Sequence, residues 1–170
     1  GISIGAHLGG RVVDVNQALD GEGPFSPERS GTLPAGALAE LCFSGRYSLD
    51  EVKKMITGKG GYTAYLDTNS AQEIEERALK GEPRARLVRD ALVYQVAKEI
   101  GAMSTVLKGE VDAILLTGGI AYSETFTADL SERIQSIGPV YIYPGEDELH
   151  ALAFNGLRIL EGKAVVLTYA

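Results

Sequence analysis

Arg29 sits alone among residues that fix backbone shape, in the run Gly23-Pro24-Phe25-Ser26-Pro27-Glu28-Arg29-Ser30-Gly31. A guanidinium is planar and always charged, which suits it to clamp a carboxylate or a phosphoryl group in transfer. The competing reading is a surface arginine paired with Glu28 or Asp20. A second feature is Ile114-Leu115-Leu116-Thr117-Gly118-Gly119-Ile120-Ala121, an apolar run that breaks into two glycines before a helix. Paired glycines let backbone approach a ligand where no side chain would fit, and a helix start offers free N–H groups to an anion. The same pattern also makes an ordinary tight turn. Third, Tyr143-Pro144-Gly145-Glu146-Asp147-Glu148-Leu149 places three carboxylates in the first turn of a helix. The helix dipole alone favours acids there. The sharper reading is a carboxylate that helps hold Mg²⁺ at the carboxyl end of a strand, directly or through water.

The elements that must position these groups follow from periodicity and punctuation. Ile2, Ile4 and Ala6 share one face of a first strand, Gly9-Gly10 is a hairpin turn, and residues 11–15 return. Residues 16–34 are rich in glycine and proline, a long loop of the kind that is more often functional than idle. Pro34 opens a short helix closed by Gly45, and Ser48-Leu49-Asp50-Glu51 is a capping box for a helix ending near Gly58. Gly60-Gly61-Tyr62 begins an apolar crossing segment. Asn69 or Ser70 caps a helix ended by Gly81. Pro83 then starts a helix of about 25 residues, roughly 37 Å long, with Val88, Leu92, Val96, Ile100, Met103 and Leu107 at core spacing. Strand 112–117, helix 124–137, strand 140–143, helix 146–161 and strand 164–169 complete the order. The expected class is α/β, a hairpin joined to a mainly parallel sheet, in one domain spanning 1–170.

With 170 residues and 45% hydrophobic content, the chain can build one ordinary core. No apolar run approaches the length of a membrane span, so no membrane partner is expected. The net charge of −7 argues against nucleic acid, which needs a basic face. Cys42, the single cysteine, can form no internal disulfide, in keeping with a reducing, cytoplasmic setting. Its apolar surroundings, Leu38 to Phe43, mark it as a buried core residue. His7 and His150 show no metal-ligand spacing and read as structural. The chain starts without Met and already alternates as a strand, which suggests the C-terminal part of a larger protein.

Taken in order, Gly1-Ile2-Ser3-Ile4-Gly5, Val12-Val13-Asp14-Val15-Asn16, the Gly23–Gly31 block, Thr117-Gly118-Gly119-Ile120 and Pro144-Gly145-Glu146-Asp147-Glu148-Leu149 resemble the butyrate kinases. These are a branch of the acetate kinase family, within the actin-like, sugar-kinase and Hsp70 ATPase superfamily. The resemblance covers essentially the whole chain, and the Gly23–Gly31 block is its most specific part. It implies a ribonuclease H-like (actin-like ATPase) domain lacking its first strand, and phosphoryl transfer between ATP and a short-chain carboxylate to give ADP and an acyl phosphate. Arg29 matches the arginine that contacts the carboxylate and the transferring group. Gly118, Gly119 and Ile120 match the adenosine loop. Asp147 or Glu148 matches the acidic position linked to Mg²⁺, with Asp147 the preferred of the two. A homo-oligomer, a dimer at the least, is the family expectation.

The sequence also departs from that pattern. Only the last glycine of the family's His-Leu-Gly-Gly phosphate loop remains, as Gly1, while His7-Leu8-Gly9-Gly10 repeats the letters inside the next hairpin. The family's first domain, with its own phosphate loop, is absent, so the chain alone is expected to be inactive. Ser70 and Gln72 stand where relatives carry an acidic residue and an arginine near the adenine. Two alternatives stay open: a non-catalytic nucleotide-binding or oligomerisation module, or a kinase for acetate, propionate or a branched acid.

Overall fold

The computed structural model describes residues 1–166 and 168, and of Glu148 the backbone alone. Ala6 is buried, and Ile2 and Ile4 pack against the core as expected, but the first strand begins only at Gly5, so the two isoleucines precede it. β1 (Gly5–Leu8) and β2 (Arg11–Val15) form an antiparallel hairpin paired from Gly5↔Val15 to Leu8↔Arg11. Its turn residues Gly9 and Gly10 have φ of 58° and 75°, the mirror-image turn that matches strand twist. After the long loop come α1 (Ala35–Phe43), α2 (Leu49–Thr57), α3 (Gly61–Leu66), α4 (Ala71–Leu79) and α5 (Pro83–Val106). β3 (Ile114–Gly118) runs into a 3-10 turn, Gly119–Tyr122, and then α6 (Glu124–Ile134). β4 (Val140–Pro144) and α7 (Glu148–Leu160) follow. β3 and β4 are parallel, in register from Ile114↔Val140 to Gly118↔Pro144.

α5 is the axis of the core. Its Ala85, Val88, Leu92, Val93, Val96 and Ile100 are buried against Ile74 of α4, Tyr62 and Leu66 of α3, Leu116 of β3, and Phe126, Leu130 and Ile134 of α6. Each large apolar side chain so placed contributes about 1.5–3 kcal/mol of transfer free energy. Pro83 occupies the first turn of α5, where its missing N–H has no intrahelical partner to lose. Ser48 and Glu51 form the full reciprocal capping box on α2.

Several expectations are corrected. The apolar crossing segment expected from Gly60-Gly61-Tyr62 is the short helix α3, opened where Gly60 and Gly61 press against loop backbone that leaves room for no side chain. Of the two candidate caps for α4, Ser70 is the one used. Cys42 is exposed, since α1 buries none of its residues. The expected α/β class, a hairpin plus parallel strands with helices, is present, but among the described residues the hairpin β1-β2 and the parallel pair β3-β4 are two separate ribbons rather than joined. Between them lies an apolar cleft of about 680 Å³, lined by Ile4, Val15, Ile100, Leu116 and Leu130 among others. Helices α6 and α7 are shorter than expected, 124–134 and 148–160, so only Glu148 of the three acids lies in α7, with Asp147 as its N-cap. Of the strand expected over 164–169, residues 164–166 are not in a strand, and 167 and 169 lie outside the described residues.

Candidate functional site

The loop that carries Arg29 is pinned from three sides. At its start Asn16, 4% exposed, accepts from the Ile4 N–H (2.6 Å) and donates to the carbonyls of Ile2 (3.2 Å) and Glu22 (3.1 Å). At its centre the Phe25 N–H donates to Gln95 Oε1 of α5 at 3.1 Å, and the Phe25 ring meets Tyr62 and Tyr65 edge-on. On its far side the N–H groups of Gly60, Tyr62 and Thr63 donate to the carbonyls of Glu28, Ser26 and Pro27. This close approach explains the glycine pair. A methyl group on Gly61 would strike the Ser26 carbonyl oxygen and lie 2.8 Å from that of Arg29, and Gly61 has φ of 55°. Ser26 Oγ is buried with no hydrogen-bond partner among the described residues.

Held this way, Arg29 is half-buried, and its Nη1 donates to the Ala18 carbonyl at 3.2 Å. Among the described residues it has no carboxylate within ion-pair distance, so the expected alternative of a pair with Glu28 or Asp20 does not form. Its guanidinium lies against Gly1, where a methyl group would run into Nη1. Arg29 and Gly1 are thus in direct contact.

The glycine turn is the second feature. Gly118 has φ of 77° and ψ of −171°, a region open essentially to glycine alone. Reciprocal backbone hydrogen bonds of 3.0 and 3.1 Å join Gly118 to Gly145 and bind the ends of β3 and β4 together. A methyl on Gly118 would lie 3.3 Å from Glu146 Oε1, whereas one on Gly119 would meet nothing within 4 Å. The turn thus has a fixed backbone and an open face. Ser123 caps the helix behind it, its Oγ accepting from the Phe126 N–H at 3.2 Å.

Of the residues expected at the site, Arg29 lies against Gly1, while Gly118, Gly119 and Ile120 form the turn beside Glu146. Asp147 turns its carboxylate to His150, with 3.5 Å between Oδ2 and Nδ1, and is 83% exposed. Glu146 is the carboxylate set against the glycine turn. Glu148 contributes only its backbone position to the description. Ser70 is occupied as the cap of α4, and Gln72 is exposed with its amide bonded to Glu76. α4 nonetheless borders the site, because Asn69 Nδ2 donates to Glu28 Oε1 at 2.6 Å. His7 is exposed on β1 and His150 stacks on Phe154; neither joins the cluster. Sequence reasoning missed the part played by Asn16, whose only signal is an amide ending an alternating strand, and it did not single out Glu146 from its two acidic neighbours.

No group of three or more His, Cys, Asp or Glu side chains among the described residues is arranged to hold a metal ion unaided. One carboxylate beside an open backbone turn fits Mg²⁺ in the usual nucleotide setting, where phosphates and water supply most of the ligands. Among the described residues no helix is long and apolar enough to cross a membrane.

Comparison with known proteins gives a consistent answer. Residues 1–143 match the model of the acetokinase family. Butyrate kinase 2 of Clostridium acetobutylicum is 53% identical over 169 residues, 99% of this chain and 48% of that protein. A probable butyrate kinase of Phocaeicola vulgatus is 54% identical over the same proportions. The chain therefore spans about half the length of the curated relatives it matches. The crystal structure of an acetate kinase from Porphyromonas gingivalis superposes with a TM-score of 0.81 at 22% identity, covering 93% of this chain and 46% of that one.

Proposed function

This chain belongs to the acetokinase family, and from that premise we propose that it is the C-terminal, nucleotide-side domain of a two-domain carboxylate kinase. The reaction is reversible transfer of the γ-phosphoryl group of ATP to butanoate, giving ADP and butanoyl phosphate. The observations that support this reading are an arginine set against Gly1 with no carboxylate partner among the described residues, and Glu146 set against the open Gly118-Gly119 turn. Phosphoryl transfer asks a protein chiefly for positioning and charge neutralisation. A carboxylate oxygen attacks the γ-phosphorus as the bond to the bridging oxygen breaks, and the electron pair leaves with ADP.

The residues divide the work. Arg29, with no carboxylate partner of its own, faces the acyl side and neutralises charge on the acceptor and on the group in transfer. The turn at Gly118–Ile120 lets the nucleotide come against backbone, and Ser70 and Gln72 border its base. Glu146, with Asp147 and Glu148 beside it, would hold Mg²⁺ directly or through water. That ion, when bound, offsets the phosphate charge. The other half of the cleft belongs to the N-terminal portion of the same protein, so the 170 residues alone are inactive. The apolar cleft between the two ribbons, and the exposed Val12, Val13, Leu152 and Leu157, support a fold completed by more chain and by a homo-oligomer. Compartment follows from the substrates: ATP and a single free cysteine suit the cytoplasm.

Calorimetric titration of the full-length protein with ADP, with and without Mg²⁺, tests the nucleotide side. Saturable, metal-dependent binding that weakens in Gly119→Val is expected, because valine would fill the open face of the turn. Binding unaffected by that substitution would place the nucleotide elsewhere.

A further inference from the structure

A buried arginine is costly unless its charge is met, and Arg89, 6% exposed, meets its charge three times over. Its Nε donates to Glu75 Oε2 at 3.2 Å and its Nη1 to Asp90 Oδ1 at 3.0 Å, and Nη1 also bonds Asp129. Glu75 belongs to α4, Asp90 to α5 and Asp129 to α6, so one side chain on α5 ties three helices. Burial opposes its charge, but the bonds to Asp129, Glu75 and Asp90 outweigh that and hold the guanidinium protonated more firmly than in water. The tie continues through Glu75, whose second oxygen accepts the Thr125 hydroxyl in the first turn of α6. Thr125 in turn lies 3.3 Å from the Ser123 hydroxyl that caps that helix. The 3-10 turn Gly119–Tyr122 ends immediately before Ser123.

α4 is thus fixed at two points. Asn69 holds its start to Glu28, next to Arg29, and Glu75 holds its second turn to α6. The two ties are six positions apart in sequence. Ser70 and Gln72 lie between them. A buried ionic cluster of this kind is weak evidence of stabilisation, because a well-packed apolar replacement often serves as well. What an apolar side chain cannot do is set the register of three helices through directed bonds.

We propose that Arg89 is a positioning residue for the nucleotide, tying α4 to the first turn of α6 so that the Ser70–Gln72 segment and the Gly118-Gly119 turn keep one separation. The proposal rests on the reading of that turn as the nucleotide site. Arg89 acts through Glu75 and Thr125 and touches no substrate.

Steady-state kinetics of the full-length protein, with ATP and butanoate varied separately, test it. Arg89→Lys keeps the charge but loses the planar fork that reaches several carboxylates at once. It is expected to raise the KM for ATP about tenfold while the KM for butanoate stays within about twofold. Thr125→Val, a change at an exposed hydroxyl that leaves the cluster charged, is expected to shift the ATP KM in the same direction by about threefold. A purely structural role would lower the amount of active enzyme, and so kcat, and leave both KM values alone. That result in both variants overturns the proposal, as does an equal rise in the two KM values. Gly119→Val separates the underlying reading from the proposal. If it leaves the ATP KM unchanged, the nucleotide site is misplaced and the proposal falls with it. If it raises the ATP KM while Arg89→Lys and Thr125→Val do not, only the positioning role is lost.

Discussion

Replacing Gly61 with alanine would test whether the Arg29 loop is held by close backbone contact. The residue has φ of 55°, and the added methyl would strike the Ser26 carbonyl oxygen and crowd that of Arg29. Left-handed backbone costs an L-residue about 1–2 kcal/mol. Moving the loop aside would also break the bonds from Tyr62 N–H to Ser26 O and from Ser26 N–H to Arg29 O. Each such bond is worth about 1 kcal/mol net. The expected destabilisation is therefore about 3–4 kcal/mol, a large share of the 5–15 kcal/mol typical of a folded domain. Urea unfolding of the full-length protein followed by circular dichroism measures it, with Gly36→Ala as the control. Gly36 lies inside α1 with open space around it, so alanine there should stabilise by up to about 1 kcal/mol. A Gly61→Ala midpoint equal to the parent's, at unchanged slope, would refute the argument that glycine is required for that contact.

Two further outcomes are expected. Asn16→Ala leaves the Ile4 N–H and the Ile2 and Glu22 carbonyls without their partner; a loss of about 2–4 kcal/mol is expected in the same unfolding assay, with turnover falling as the Gly1 segment and the Arg29 loop come apart. The response to acid follows from two carboxylates. Hydrogen bonds from the Ser48 N–H and hydroxyl hold Glu51 below its ordinary 4.5, and the hydrogen bonds of Arg77 do the same for Glu82. Groups depressed in the folded state stabilise it above their unfolded pKa and lose that contribution as pH falls through the folded value. Stability should therefore drop as pH goes below 4.5, and Arg77→Ala should flatten the drop in urea midpoints measured across that range.

Much of the fold was legible because its punctuation is local. Ser48 with Glu51, Pro83 at a first turn and Gly9-Gly10 in a hairpin each act within a few residues, so sequence alone places them. What was not legible depends on distant partners. Gly60-Gly61 reads as the start of an apolar crossing segment until the loop 26–30 is seen against it, and then it becomes the start of a helix. Cys42 lies in an apolar stretch, yet α1 has nothing to bury it against. At the site, the type of each group was readable and its direction was not. Asp147 and Glu146 are adjacent in sequence, and only the geometry of the β4 end turns one to His150 and the other to Gly118. Arg89 was not singled out in the sequence, because two of its three partners lie 14 and 40 residues away.

The most direct measurement is trapping of acyl phosphate with hydroxylamine in the full-length protein supplied with butanoate and Mg-ATP, compared with Arg29→Ala. The account expects hydroxamate from the parent and a fall of about a thousandfold or more when the arginine is removed. Equal product from both proteins would take Arg29 out of the mechanism, and no product from a folded parent that binds ADP would contradict the kinase assignment itself.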